Sequence, residues 1–282
     1  MDYIQKIIAY LLSLIFTVST LIPFYPAQKV DMDKFELVWS DEFEGEALDS
    51  EKWTGHHFTQ GKTVVRKGGY WNLDFAKVVD GNLRISTKYF EDGYNGNGKP
   101  GWYSSALNTK GLFEQAHGYF EIRCILPKGS GLWSAFWLGC DGISSVGDGG
   151  RDGAEIDIYE SPYYSQLIKN RVTTNIHYDG YGEDIRSQNV STPFIIGNNP
   201  YEEYNTYSLE WNEDEYIFYI NGKETGRSDF GGTSLVEEYL ILSVEVGGSN
   251  GVAADSWAGS APDKNVDVSD FIVDYVRVYQ YK

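Results

Sequence analysis

Between residues 30 and 282 the apolar positions fall in short alternating runs, separated by Gly, Asn, Asp and Pro. Leu83-Arg84-Ile85-Ser86-Thr87, Val172-Thr173-Thr174-Asn175-Ile176-His177 and Tyr216-Ile217-Phe218-Tyr219-Ile220 are examples. Alternation with period two is the signature of a strand with one buried face. Asn221-Gly222, directly after the third run, is a strong hairpin signal. Glu121–Leu126 and Leu132–Leu138 read as a second hairpin, folded around residues 127–131. Outside the N-terminal segment no long run places apolar residues at i, i+3 and i+4, so helices are not expected. The pattern predicts an all-β sandwich of two antiparallel sheets. No repeat or Pro/Ser-rich linker divides residues 29–282, which read as one domain.

Residues 7–25 are uncharged and mostly apolar, with Lys6 before them. Residues 1–28 therefore read as a secretory signal peptide or an N-terminal membrane anchor, outside the fold. Either reading makes the protein extracellular.

Composition narrows the partners. Aromatic residues are 16% of the chain, including 22 Tyr and 8 Trp, which suits strands and sugar-stacking surfaces alike. The formal charge is −18, from 41 acidic and 23 basic residues. That field repels phosphate backbones, so nucleic acid is excluded as a partner, and a neutral polymer fits better than a sulfated one. Cys124 and Cys140 are too few for a disulfide framework. In the hairpin register Cys124 lies near Ser134, roughly 20 Å from Cys140, so both should be unpaired.

The densest chemistry is Glu155-Ile156-Asp157-Ile158-Tyr159-Glu160. Ile and Tyr favour extended backbone, and alternation puts Glu155 and Asp157 on one face. Glu160 would face the other way unless a one-residue bulge at Ile158 or Tyr159 returns it, and bulges are frequent beside active sites. Three acids this close cannot all ionise freely, so at least one should hold a proton near neutral pH. A protonated carboxyl beside an ionised one is the equipment of glycoside hydrolysis. Residues 142–153 and 92–101, both rich in glycine, read as loops at the rim of a cleft.

Further segments surround this strand: Trp39-Ser40-Asp41-Glu42-Phe43, Asp80-Gly81-Asn82-Leu83, Gly118-Tyr119-Phe120-Glu121-Ile122-Arg123, and Gly131-Leu132-Trp133-Ser134-Ala135-Phe136-Trp137-Leu138. Val273-Asp274-Tyr275-Val276-Arg277-Val278-Tyr279-Gln280 closes the chain. In this order they resemble glycoside hydrolase family 16, the laminarinase and lichenase relatives, over about residues 36–282. The resemblance implies a jelly-roll sandwich with a concave cleft and a retaining, endo-acting hydrolase. It makes Glu155 the nucleophile, Glu160 the general acid/base and Asp157 the auxiliary acid. The two-residue spacer after Asp157 matches the bulged laminarinase-like form, which implies β-1,3 or mixed β-1,3/1,4-glucan as substrate. Hydrolysis or transglycosylation of another polysaccharide, such as a galactan, and a silent glucan-binding module are the alternatives.

Trp133, Trp137 and Trp257 are expected to stack against sugar rings. Asn175 and His177, alternate residues of one strand, are expected to face the cleft. Relatives usually carry His where this chain has Asn205, a support position. No cofactor is needed for catalysis, but Glu42, Gly81 and Asp274 fall where relatives bring a structural Ca²⁺, a hard cation that takes oxygen ligands. A monomer is expected.

Overall fold

A computed structural model describes residues 28–55, 62–192 and 198–282; the predicted export segment lies outside these residues. Two antiparallel sheets face one another. The outer sheet runs in the order Lys223–Ser228, Tyr216–Ile220, Asn205–Trp211, Gly118–Ile125, Phe271–Tyr281, Asn82–Ile85, Ala76–Val79, with Phe35–Asp41 also paired to Phe271–Tyr281. The cleft sheet runs Arg186–Ser191, Thr173–Tyr178, Glu155–Glu160, Leu132–Gly139, Glu238–Val246, Ala106–Asn108, with Glu114–Gln115 paired to Glu238–Val246. A four-stranded sheet (Val64–Arg66, Gly69–Trp71, Gly101–Ser104, Lys88–Phe90) and a small pair (Gly248–Ser249, Val252–Ala253) are additions to the expected two. Among the described residues the only helical elements are short 3₁₀ turns, as the lack of helical periodicity predicts.

The core lies between the two large sheets. Phe120, Ile122, Val276 and Val278 of the outer sheet and Phe136, Leu138, Ile156 and Leu242 of the cleft sheet are all fully buried in one cluster. Burying each such side chain is worth about 1.5–3 kcal/mol, which fixes the sheets face to face.

The hairpin expected around residues 127–131 is not formed. Gly118–Ile125 belongs to the outer sheet and Leu132–Gly139 to the cleft sheet, so the intervening segment carries the chain across the sandwich. Its backbone is committed elsewhere: Leu126 N–H donates to Pro200 O at 2.8 Å and Gly131 N–H to Ala258 O at 3.0 Å. Cys124 still approaches Ser134, but through the core. Its Sγ is 3.6 Å from the Tyr159 hydroxyl, which is 3.3 Å from Ser134 Oγ. Both cysteines are free and buried. Burial pushes the Cys140 thiol up to about 12, which leaves it protonated and inert at neutral pH.

Candidate active site

The acid strand carries the bulge its sequence calls for. Against Leu132–Gly139, Trp137 pairs with Asp157 but Phe136 pairs with Tyr159, so Ile158 is the extra residue. On the other side Asp157 pairs with Asn175 and Glu160 with Thr173, two residues opposing one. Ile156, Ile158 and Tyr159 consequently all pack in the core, while Glu155, Asp157 and Glu160 line the same cleft. The Tyr159 ring, 4.4 Å from that of Tyr207, anchors the bulge from below.

The cleft has a volume of about 670 Å³. Trp133, Trp137, His177 and Trp257 line it. Trp133 meets the edge of Trp257 with ring centroids 5.4 Å apart, and Trp137 Nε1 donates to Ser243 Oγ at 3.2 Å. Trp257 is 47% exposed, which leaves its ring open to a ligand. Asn175 is engaged differently: its Nδ2 donates to Glu160 Oε2 at 2.7 Å, so it orients an acid. His177 Nε2 stands 3.3 Å from Asp157 Oδ2 and 4.0 Å from Glu155 Oε1, and its Nδ1 is 2.6 Å from Ser187 Oγ.

The electrostatics separate the acids. Burial, with the Asp157 charge second, pushes Glu155 up to about 7. Burial and then the charges of Asp157, Glu155 and Glu245 hold Glu160 well above the usual carboxylate range. Both glutamates are therefore harder to ionise than free carboxylates, each because it is desolvated beside other acids. Burial pulls His177 toward neutrality, but hydrogen bonding to Asp157 and the charges of Asp157 and Glu155 outweigh it and raise the imidazole.

Several cleft residues were not anticipated from the sequence. Tyr181 donates from its hydroxyl to Glu155 Oε2. Arg66 Nε donates to Glu245 Oε1 at 2.9 Å, and its guanidinium lies 4.8 Å from the centroid of the Trp71 ring. Of the two predicted rim loops, residues 142–153 contribute Ile143 and Ser144 to the cleft. Residues 92–101 do not line it. They fold onto the four-stranded sheet, where Tyr103 donates to Lys99 O at 2.7 Å and Tyr94 to Asp74 at 3.0 Å. Asn205 is buried in the outer sheet, accepting from Asn221 at 2.8 Å and Asn198 at 3.1 Å, away from the acids.

Glu42, Gly81 and Asp274 converge elsewhere. Phe35–Asp41 and Asn82–Ile85 pair with the same strand, the first ending at Val276 and the second at Val273. The ladder is thus broken opposite Asp274 and Tyr275, where Glu42 and Gly81 arrive from two sides. Ca²⁺ takes oxygen ligands from carboxylates and backbone carbonyls. The carboxylates are already engaged, Glu42 by Arg277 at 2.8 and 2.9 Å and Asp274 by Arg123, so a Ca²⁺ held here would have to draw on backbone oxygens.

A sandwich whose cleft floor carries two glutamates and an aspartate on one bulged strand has the layout of the two-carboxylate glycoside hydrolases. The profile of the β-porphyranase A–D GH16 domain matches residues 35–281, and the chain belongs to glycoside hydrolase family 16. Among its relatives, glucan endo-1,3-beta-glucosidase A1 of Niallia circulans is 28% identical over 269 residues, 86% of this chain and 38% of that protein. The beta-glucanase of Rhodothermus marinus is 27% identical over 266 residues, 88% of this chain and 86% of the relative. The chain thus spans well under half of the first and most of the second. SCLam, described as a non-specific endo-beta-1,3(4)-glucanase of the family, superimposes with a TM-score of 0.68 at 26% identity, covering 91% of this chain and 95% of its own.

Proposed function

We propose that the protein is a retaining endo-β-glucanase that cleaves β-1,3 or mixed β-1,3/1,4-glucan. The observation that carries this reading is the bulge at Ile158, which brings Glu155, Asp157 and Glu160 together on the floor of one aromatic-walled cleft. Glu155, ionised, attacks the anomeric carbon as the glycosidic C–O bond breaks, and Glu160 gives its proton to the departing oxygen. Glu160, now a carboxylate, takes a proton from water; the water oxygen attacks the same carbon and releases Glu155. Asp157, between them, holds His177 and adds the charge that keeps Glu160 protonated. The aromatic walls supply stacking surface for a neutral sugar chain. The printed names of the relatives supply the glucan and its linkages.

The matching profile is named for β-porphyranases, which favours as a second reading another polysaccharide on the same scaffold, such as a galactan. Product analysis on laminarin, barley β-glucan, lichenan and agarose separates the two. Oligosaccharides from the first three and none from agarose are expected, with the first-formed anomer by NMR retained. Cleavage of agarose alone would replace the glucan reading, and an inverted product would defeat the double displacement.

Two proposals accompany it. Residues 1–28 direct the enzyme out of the cytoplasm as a cleaved signal or an anchor, which terminal sequencing of the exported protein decides. A structural Ca²⁺ sits at the ladder break formed by Glu42, Gly81 and Asp274, held by backbone oxygens.

A further inference from the structure

We propose that Tyr181 is a positioning residue for the nucleophile: its hydroxyl holds Oε2 of Glu155 and favours the ionised carboxylate. The inference rests on the assignment of Glu155 above and deepens it.

The geometry begins with the backbone. The strand Thr173–Tyr178 ends where Asp179 and Gly180 both take positive φ, 62° and 78°. That pair of left-handed residues turns the chain sharply back over the cleft. The turn is tied down on the far side, since Gly180 N–H donates to Ile143 O and Gly147 N–H to Asp179 Oδ1 at 3.3 Å. Tyr181 follows at once. The residue is 63% exposed overall, yet its hydroxyl reaches the half-buried Glu155. Tyr181 thus lines the cleft and meets the nucleophile through its hydroxyl.

The chemistry fixes the direction of the hydrogen bond. Burial, then the Glu155 charge, push the Tyr181 phenol far above its ordinary value, so it remains protonated and donates. A donor to the charged form favours that form. It counters the burial and the Asp157 charge that drive Glu155 toward protonation. The other groups acting on this carboxylate are accounted for. His177 from the neighbouring strand and Arg66 from the wall lower its proton affinity. Glu160 on its own strand and Glu238, buried on Glu238–Val246, repel it. With His177 nearer to Asp157 than to Glu155, Tyr181 is the group that hydrogen-bonds the nucleophile.

Tyr181→Phe keeps the ring and removes the donor. The carboxyl ¹³C signal of Glu155, assigned by its loss in Glu155→Gln, should titrate roughly one pH unit higher in Tyr181→Phe. The acid limb of kcat/KM on the best glucan should move up by the same amount. Tyr181→Ala should show that shift and, having lost the ring, a raised KM as well. A Glu155 titration unchanged in Tyr181→Phe, with hydrolysis intact, overturns the inference and leaves a residue that at most stacks on sugar. A titration that rises in a protein cleaving none of the polysaccharides keeps the hydrogen bond and removes the catalytic reading instead.

Discussion

His177 is the ladder partner of Glu155, yet its Nε2 lies closer to Asp157, at 3.3 Å against 4.0 Å. The imidazole therefore serves the middle acid, and Asp157 joins His177 to the two glutamates. A hydrogen bond to a charged group contributes about 1.5–3 kcal/mol, so His177→Ala should lower kcat/KM about 10–100-fold. Stability carries a second signature. His177 titrates above its ordinary value of 6.5 in the folded protein, so its contribution is complete below that pH and disappears as pH rises through the raised value. The melting temperature lost in His177→Gln should accordingly be larger at pH 5.5 than at pH 9. Equal losses at both would show that the imidazole acts only by packing.

Glu155→Gln should abolish hydrolysis with little change in melting temperature, because the amide keeps the shape but cannot attack. Activity of more than a few per cent on every glucan would remove Glu155 from its role. In the native enzyme kcat/KM should rise as Glu155 ionises, at about pH 7, and fall once the pH takes the proton from Glu160, which burial and the neighbouring charges hold well above the usual carboxylate range. An acid limb near the ordinary carboxylate value of about 4 would show that burial does not raise Glu155.

Calcium at the ladder break should stabilise the fold by mass action, about 2.7 kcal/mol at a hundredfold excess over the dissociation constant. A chelator should lower the melting temperature and added Ca²⁺ should restore it. Asp274→Asn, which releases Arg123 but leaves the backbone oxygens, should retain the response. Identical melting curves with and without chelator would dispose of the site.

What could be read in advance divides by the range of the interaction. The bulge was legible because Glu155, Asp157 and Glu160 can share a face only if Ile158 or Tyr159 is extra, and the apolar residues between them need the core. The hairpin around residues 127–131 was misread because period-two alternation shows which side of a strand is buried but not which sheet it joins. Tyr181 and Arg66 reach the cleft through the Asp179-Gly180 turn and the small four-stranded sheet, and neither carries a pattern tied to the acids. Glu245 offered a signal: a carboxylate between Val244 and Val246 at the apolar end of a strand, and the structure buries it with the rest of that strand. Such an acid needs a partner, which Arg66 supplies from 179 residues away along the chain.

The bulge itself can be tested by removing its extra residue. Deleting Ile158 leaves Glu-Ile-Asp-Tyr-Glu, which in a plain strand puts the three acids on one face and Ile156 and Tyr159 on the other. Tyr159 would keep its core position, where its ring meets Tyr207 and its hydroxyl meets Cys124 and Ser134. The loss is one buried isoleucine side chain, about 2–5 kcal/mol by comparison with truncation to alanine. If the variant folds, it should retain measurable hydrolysis, because both glutamates still face the cleft. Deleting Tyr159 preserves the same alternation but empties a far larger space under the strand, so it should melt at a lower temperature than the Ile158 deletion. Inserting an alanine after Ile158 should turn Glu160 away and cost the general-acid contribution, typically 10²–10⁴ in rate. An Ile158 deletion that folds natively but is as inactive as Glu160→Ala, beside an insertion that stays active, would show that the extra residue does not set the facing of Glu160.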